Sequence, residues 1–406
     1  MKKRKATVFL AAVLGVAVAA AGCGSNTGTT TAAPTSAAAQ ETTAPAASSE
    51  PIRIGGIFNV TGDQSSIDAP AQKGFDLAVD LINKAGGING RLIEATSYDG
   101  QTDQAVCANN AKKLIEQDKV IAIGGLSDSD YAYAAGAVAQ AAGIPIVFSG
   151  ATTPDIPDTV GNYAFLTAFG DNTCAYATAN FLFKTQGAKT VYVLIDDSMS
   201  YTTNLASYFI EHWKELGGEV VLEDHFKSGD YDFSAQIQRY LATGETDAMF
   251  ISSGPDDASS IIQQFREGGA TAPMISGDGW DSDLWGVAGD LANQDIYVGT
   301  HYATSDESDV VQNFIKAYNE KYGIDPENAF AALGYDCMMV LKKAIEDCGG
   351  DVTSANIRDK IEAIQGLQCV TGTISYSAES HVPAKSVVIT KAEDNHLVFV
   401  ENAASN

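Results

Sequence analysis

The chain has 406 residues, 45% hydrophobic and 19% charged, enough for two or three domains with buried cores. Its 25 Lys and Arg stand against 51 Asp and Glu, a formal charge of −26. A surface that acidic repels phosphate backbones and anionic headgroups, which argues against nucleic-acid binding and electrostatic membrane attachment. Beyond the N-terminus no apolar stretch approaches the roughly 20 residues that span a bilayer, so a polytopic membrane protein is not expected.

Met1 to Arg4 is basic, Ala6 to Ala21 is a 16-residue apolar run, and the small residues Ala20, Ala21 and Gly22 lead into Cys23. That is the charged, apolar, small-residue order of a secretory signal. A transmembrane anchor would call for a slightly longer span and gives no reason for the cysteine. Ala20-Ala21-Gly22-Cys23 resembles the bacterial lipobox, which implies cleavage before Cys23, a lipid attached to Cys23, and a location on the cell membrane facing away from the cytoplasm. Loss of Lys2, Lys3, Arg4 and Lys5 with the signal deepens the formal charge to −30. Gly24 to Glu50 is rich in Ser, Thr, Ala, Gln and Pro and nearly free of large apolar residues, so it is expected to be a flexible tether. A flexible segment of this length has an end-to-end distance of about 25 to 30 Å.

From Pro51 short apolar runs alternate with amphipathic segments. Strands are predicted at Ile52 to Phe58, Leu92 to Tyr98, Val120 to Ile123 and Ile144 to Phe148, with helices beginning near Ala69, Thr102 and Asp130. Ala71, Phe75, Ala78, Val79 and Ile82 form one apolar stripe, and Ala85-Gly86-Gly87-Ile88-Asn89-Gly90 ends that helix. After about Phe169 a second series follows, with strands predicted at Val191 to Ile195, Val220 to Leu222, Ala248 to Ile251 and Met274 to Ile275. Leu205, Phe209, Trp213 and Leu216 have the spacing of a core-facing helix. The tail predicts helices at Asp309 to Tyr322, Glu327 to Cys348 and Ser354 to Ile364, and strands at Gly372 to Tyr376, Ser386 to Thr390 and Leu397 to Val400. The fold class is therefore α/β, two similar parallel-sheet halves with a returning tail able to serve both.

In open α/β sheets ligands bind outside the carboxyl ends of strands. This sequence places small and polar residues there, at Gly124 to Ser129, Ser149 to Thr153, Ser252 to Asp257 and Ser276 to Asp281. One such cluster is an ordinary loop, but four in matching positions suggest a cleft between two halves. The cysteines other than Cys23 are Cys107, Cys174, Cys337, Cys348 and Cys369, an odd number. Cys337 and Cys348 lie about 16 Å apart on one predicted helix and cannot bond to each other. The cysteines read mainly as small buried apolar residues, with a disulfide involving Cys369 as the alternative. No Cys/His spacing suggests a metal site.

Several segments together resemble the type I periplasmic-binding-protein family, and most of all the leucine/isoleucine/valine-binding branch of ABC-transporter solute receptors. They are Ala78-Val79-Asp80-Leu81-Ile82-Asn83 with Gly86-Gly87-Ile88-Asn89-Gly90, Ala142-Gly143-Ile144-Pro145 leading to Ala151-Thr152-Thr153-Pro154, Gly334-Tyr335-Asp336, and Val370-Thr371-Gly372. The resemblance covers about Ile52 to Val400. It implies two lobes joined by three crossings, near Ala168, Gly299 and Thr373, that close on ligand as a hinge. The expected organisation is a signal peptide at 1–22, a lipidated linker at 23–50, lobe one at 51–168 plus 300–372, and lobe two at 169–299 plus 373–402.

Carried over position by position, the resemblance implies that Ser127 or Ser129, together with Gly150, Ala151 and Thr152, binds a ligand α-carboxylate. Hydroxyls and free N–H groups at helix starts suit that task without a cationic side chain. The acid that would hold the α-ammonium falls on Asp278, flanked by glycines that leave room for a ligand beside it. Tyr201 and Phe330 match aromatic contacts. Two further aromatic positions are Ile67 and Gly254 here, so the family's side-chain preference is not carried over.

The expected protein is a monomeric receptor that captures an amino acid, branched-chain or otherwise aliphatic, and delivers it to an ABC permease. Its only attachment to the membrane is the lipid, and it needs no cofactor. An amide, urea, short peptide or aromatic acid as ligand, and a sensing rather than transporting role, are the alternatives. An enzyme is not expected, since no nucleophile elbow, phosphate loop, zinc-protease helix or dinucleotide fingerprint occurs and the five histidines are scattered. A receptor ectodomain would predict a transmembrane helix after the fold, and none is seen before Asn406.

Overall fold

The computed structural model describes residues 50–403. The expected signal peptide, Cys23 and nearly all of the expected tether lie outside the described residues. Two sheets carry the fold. The first contains β1 (Ile52–Phe58), β2 (Ile93–Asp99), β3 (Ala122–Gly125), β4 (Ile146–Phe148) and β5 (Ala164–Leu166), all parallel, in the order β2-β1-β3-β4-β5. The second contains β6 (Thr190–Asp196), β7 (Glu219–Phe226), β8 (Ala248–Ser252), β9 (Met274–Ser276) and β10 (Ile296–Thr300). These run parallel in the order β7-β6-β8-β9-β10, the same winding as the first sheet.

A short antiparallel ribbon, β11 (Leu367–Cys369) with β12 (Gly372–Ile374), precedes the return to the second sheet. There β13 (Val387–Glu393) and β14 (His396–Ala403) add an antiparallel edge beside β10. The expected strand at Gly372 to Tyr376 therefore becomes half of a ribbon instead of extending a lobe's sheet. Three strands, β5, β10 and β11, have no counterpart in the predicted set. Ala164-Phe165-Leu166 is only three residues long and lies in an otherwise polar stretch, which hides a fully buried strand from periodicity.

Each sheet is covered on both faces because its strands alternate between two cores. In β8, Ala248 and Phe250 enter one core while Met249 and Ile251 enter the other. The tail helix Ala329–Asp347 packs on Ser65–Lys84 at backbone distance, and a Cβ on Gly334 would lie 1.9 Å from the Ala71 carbonyl oxygen. That contact explains the glycine of Gly334-Tyr335-Asp336, which admits no side chain at this crossing. All five described cysteines are buried and free, so Cys369 forms no disulfide.

Ala168 belongs to a first-lobe core and Phe169 to a second-lobe core, which locates the first crossing; β10 runs into the second at His301. The third crossing comes later than Thr373. Ile374 and Tyr376 remain in the first core, with the Tyr376 hydroxyl donating to Leu166 O at 2.7 Å, and the chain joins the second sheet only at Val387. A buried network ties these crossings together. Asp336 accepts from the Val370 and Thr371 amides at 2.9 and 2.8 Å and from the Thr371 hydroxyl at 2.6 Å. Lys385 donates to Thr371 Oγ1 and to Thr167 O, the latter at 3.1 Å. Burial pushes the Lys385 ammonium down to about 8 despite the nearby Asp336.

Candidate functional site

An order of 2-1-3-4-5 places the topological switch point between the first and third strands of each sheet. The two switch points meet across one cavity. From the first sheet it is lined by Gln64 and Ile67 after β1, Ser127, Asp128 and Ser129 after β3, and Gly150 and Thr152 after β4. From the second come Met199 and Tyr201 after β6, Pro255 after β8, and Asp278 and Gly279 after β9. Phe330, at the start of the tail helix, completes the wall. The loops close tightly on it, leaving about 20 Å³ open to the centre of a water-sized molecule within about 290 Å³ of non-atom space that includes open solvent. A larger open groove of about 1130 Å³ is lined by Pro157, Arg358 and His381 instead of the switch-point loops.

Seven of the sequence-predicted residues are thus brought together: Ser127, Ser129, Gly150, Thr152, Tyr201, Asp278 and Phe330. Ala151 is not among the lining residues, because its side chain is fully buried in the first lobe's core. Both serines line the cavity, and their bonding differs. Ser129 Oγ accepts the Thr153 amide at 3.2 Å, which leaves its hydroxyl proton to donate elsewhere, while Ser127 Oγ shares a 3.2 Å bond with Ser149 Oγ. Ser129 also opens the helix Ser129–Ala142, whose N-cap Asp128 accepts the Asp130 amide at 2.9 Å.

Asp278 has one carboxylate oxygen, Oδ2, 2.9 Å from His301 Nε2, while Oδ1 is buried without a partner. His301 was invisible as a site residue in the sequence. It sits at a chain crossing, stacked on Phe169 at 3.8 Å between ring centroids and edge-on to Phe330 at 6.4 Å. Burial pushes its imidazole below the usual range, against the opposite pull of Asp278. The neutral ring therefore donates through Nε2–H, and its Nδ1 is buried without a partner. A lone buried histidine carries no sequence signal of this kind; only the register of β10 against β9, which sets His301 beyond Thr300, could have suggested it.

The glycines around Asp278 serve a different neighbour from the one expected. A Cβ on Gly277 would lie 2.7 Å from the Tyr201 hydroxyl, and the Gly279 amide donates to that hydroxyl at 3.0 Å. They admit Tyr201, which holds the loop, while Gly279 also borders the cavity. Burial, with the Asp278 charge adding to it, raises the Tyr201 phenol well above its ordinary range, so it stays protonated with its own hydrogen free to donate.

Other acids crowd the cleft. Burial pushes Asp128 up to about 7, Asp171 up to about 8, and Asp68 and Asp281 each up to about 6. Several bonds cross between the lobes outside the cavity, among them the Ala329 amide to Asp281 Oδ2 at 3.2 Å and the Thr153 hydroxyl to Asp171 Oδ2 at 3.0 Å; Ser200 donates from its hydroxyl to Asp130 Oδ1 at 2.5 Å and from its amide to Oδ2 at 3.2 Å. Among the described residues no group of His, Cys, Asp and Glu is spaced to hold a metal ion, and no helix is long and apolar enough to cross a membrane.

Comparison with known proteins agrees with this architecture. Residues 51–396 match the family model described as periplasmic binding protein. A Leu/Ile/Val-binding protein homolog from Brucella melitensis is 27% identical over 355 residues, covering 86% of this chain and 94% of that protein. The branched-chain amino-acid transporter substrate-binding protein LivJ of Streptococcus pneumoniae, solved with isoleucine, superimposes with a TM-score of 0.80 at 30% identity, over 86% of this chain and 99% of that one. The leucine-binding protein LivK of Thermotoga maritima gives 0.81 at 29% identity, over 87% and 99%. The chain belongs to the periplasmic binding protein family, and is a two-lobed solute-binding protein, not an enzyme.

Proposed function

We propose that this protein is the lipid-anchored, extracytoplasmic receptor of an ABC importer and that it captures a small zwitterionic amino acid between its lobes. The observation that carries the reading is Asp278: a buried carboxylate with Oδ1 unpartnered, in a cavity whose opposite side is made of hydroxyls and helix-start amides. The ligand ammonium pairs with Asp278, and its carboxylate accepts from Ser129, Ser127 and the Gly150–Thr152 segment. An aromatic acid offers no cation and would leave Asp278 facing a second carboxylate with nothing between them. Ile67, Met199, Pro255 and Phe330 provide the apolar remainder of the wall, which suits a short aliphatic side chain. The similarity to LivJ and LivK supports the same ligand class and the delivery to a permease. The anchor is assigned to Cys23.

Calorimetric titration of protein unfolded and refolded to strip carried-over ligand, against each proteinogenic amino acid, urea and short amides, tests this. Micromolar or tighter binding of small aliphatic amino acids is expected. Failure of every amino acid would overturn the reading, and binding of urea or an amide instead would replace it. Cys23→Ser is expected to release the protein from the membrane fraction.

A further inference from the structure

Gln64 is the N-cap residue of the helix Ser65–Lys84, yet its side chain makes no capping bond. Glutamine is too long for that role, which Ser, Thr, Asp or Asn fill well, so local structure gives no reason for it here. Its backbone is already held: the amide donates to Thr102 Oγ1 at 3.3 Å and the carbonyl accepts from Ile67 and Asp68. The residue is 5% exposed, lines the cleft cavity, and its Oε1 is buried without a partner. The apolar residues that line the same cavity are Ile67 and Phe330 from the first lobe and Met199 and Pro255 across the cleft. A buried amide left unpaired among such groups is unfavourable unless something bonds to it, and the cavity is where that partner can sit.

We propose that Gln64 selects the ligand side chain, and that the preferred ligand is a short hydroxylated amino acid of threonine or serine type instead of a purely aliphatic one. This rests on the amino-acid reading above. A hydroxyl satisfies the site whichever way the amide is turned, since it donates to Oε1 and also accepts from Nε2–H. The tight fit of the loops around the cavity favours a short side chain over leucine or a larger group. Threonine and valine have nearly the same shape, so their ratio isolates the hydroxyl from size.

The test is titration of the ligand-stripped protein with L-threonine, L-valine, L-serine and L-alanine, repeated on Gln64→Met after its urea melt has been compared with the parent. The expected result is threonine bound at least about tenfold more tightly than valine, as for a site with a polar group to satisfy, and loss of that preference in Gln64→Met. Valine bound as tightly as threonine by the parent overturns the selection and leaves the amino-acid reading standing, whatever the variant does. A threonine preference that survives in Gln64→Met overturns the assignment to Gln64. Absence of binding by all four overturns this inference, and the amino-acid reading falls with it only if the remaining amino acids fail too.

Discussion

The wall of the cleft built on β3 and β4 offers hydroxyls and helix-start amides, and its acids Asp68 and Asp128 are pushed toward their neutral forms by burial. The wall built on β6, β8 and β9 offers a carboxylate oxygen with no partner, steadied by an imidazole and by a tyrosine that holds its loop. The two sheets share one winding, so the difference lies entirely in a few residues at equivalent strand ends. One topology used twice makes two similar frames, and in the proposed reading the loop residues make one an anion acceptor and the other a cation acceptor. Neither complements a zwitterion alone, which gives closure of the lobes an energetic purpose.

The contrast breaks most completely at Asp278. Asp278→Asn is expected to weaken amino-acid binding by about 3 to 5 kcal/mol with little change in the unfolding midpoint, measured by calorimetry and urea melts. Unchanged affinity would remove Asp278 from the site. His301→Ala should lose about 2 kcal/mol of binding through a misplaced Asp278, because the acid then loses its one bonded neighbour. His301→Gln, able to donate in the same direction, should recover part of the loss; equal losses in both variants would show that the ring's packing on Phe169 matters more than its hydrogen bond.

On the first wall the effects are smaller, because each hydroxyl is one donor among several. Ser129→Ala is expected to weaken binding by about 1 to 2 kcal/mol and Ser127→Ala by about 1 or less, since only Ser129 already has its acceptor side occupied by Thr153. The reverse order would place the carboxylate nearer Ser127.

The buried acids predict how stability responds to pH. An acid whose folded pKa is raised holds its proton after the unfolded chain has released it near 3.8, so stability falls as pH climbs toward the folded value. His301 acts in the other sense, with a lowered folded pKa whose contribution is lost only as pH drops below 6.5. Between 6.5 and about 8 the acids dominate, chiefly Asp171 and Asp128, with Lys385, pushed down to about 8, opposing them at the top of the interval. The melting temperature of the ligand-free closed form should therefore fall by a few degrees over that interval, and Asp171→Asn should flatten the slope. The smallest effect is expected at the bond between Ser200 and Asp130 outside the cavity, where Asp130→Ala should cost about 0.5 to 1 kcal/mol of closure and show mainly as a faster ligand off-rate.

Much of this was legible in the sequence. Strand runs and helix stripes marked the paired α/β halves, and the loops that follow β3, β4, β8 and β9 were marked by small polar clusters. Both depend on local patterning, which reports each element's own burial. Asp278 and the two serines, which line the cavity, stood out because they sit in such clusters. Legibility failed where a residue's role depends on what lies beyond its own segment. His301 is such a residue, brought to Asp278 across 23 residues at a chain crossing. β5 and β10 are short and fully buried, so no alternation distinguishes them.

The sequence by itself determined the class of fold, its two similar halves and the acidic, apolar-cored body, because hydrophobic periodicity and turn residues act over a few neighbours at a time. Tertiary structure alone decided that His301 meets Asp278 from 23 residues away, that Gln64 reaches the same cavity, and that the glycines beside Asp278 belong to Tyr201. Those contacts join three separate parts of the chain, and their energies depend on burial and on unpaired polar atoms, quantities that exist only once the two sheets face each other.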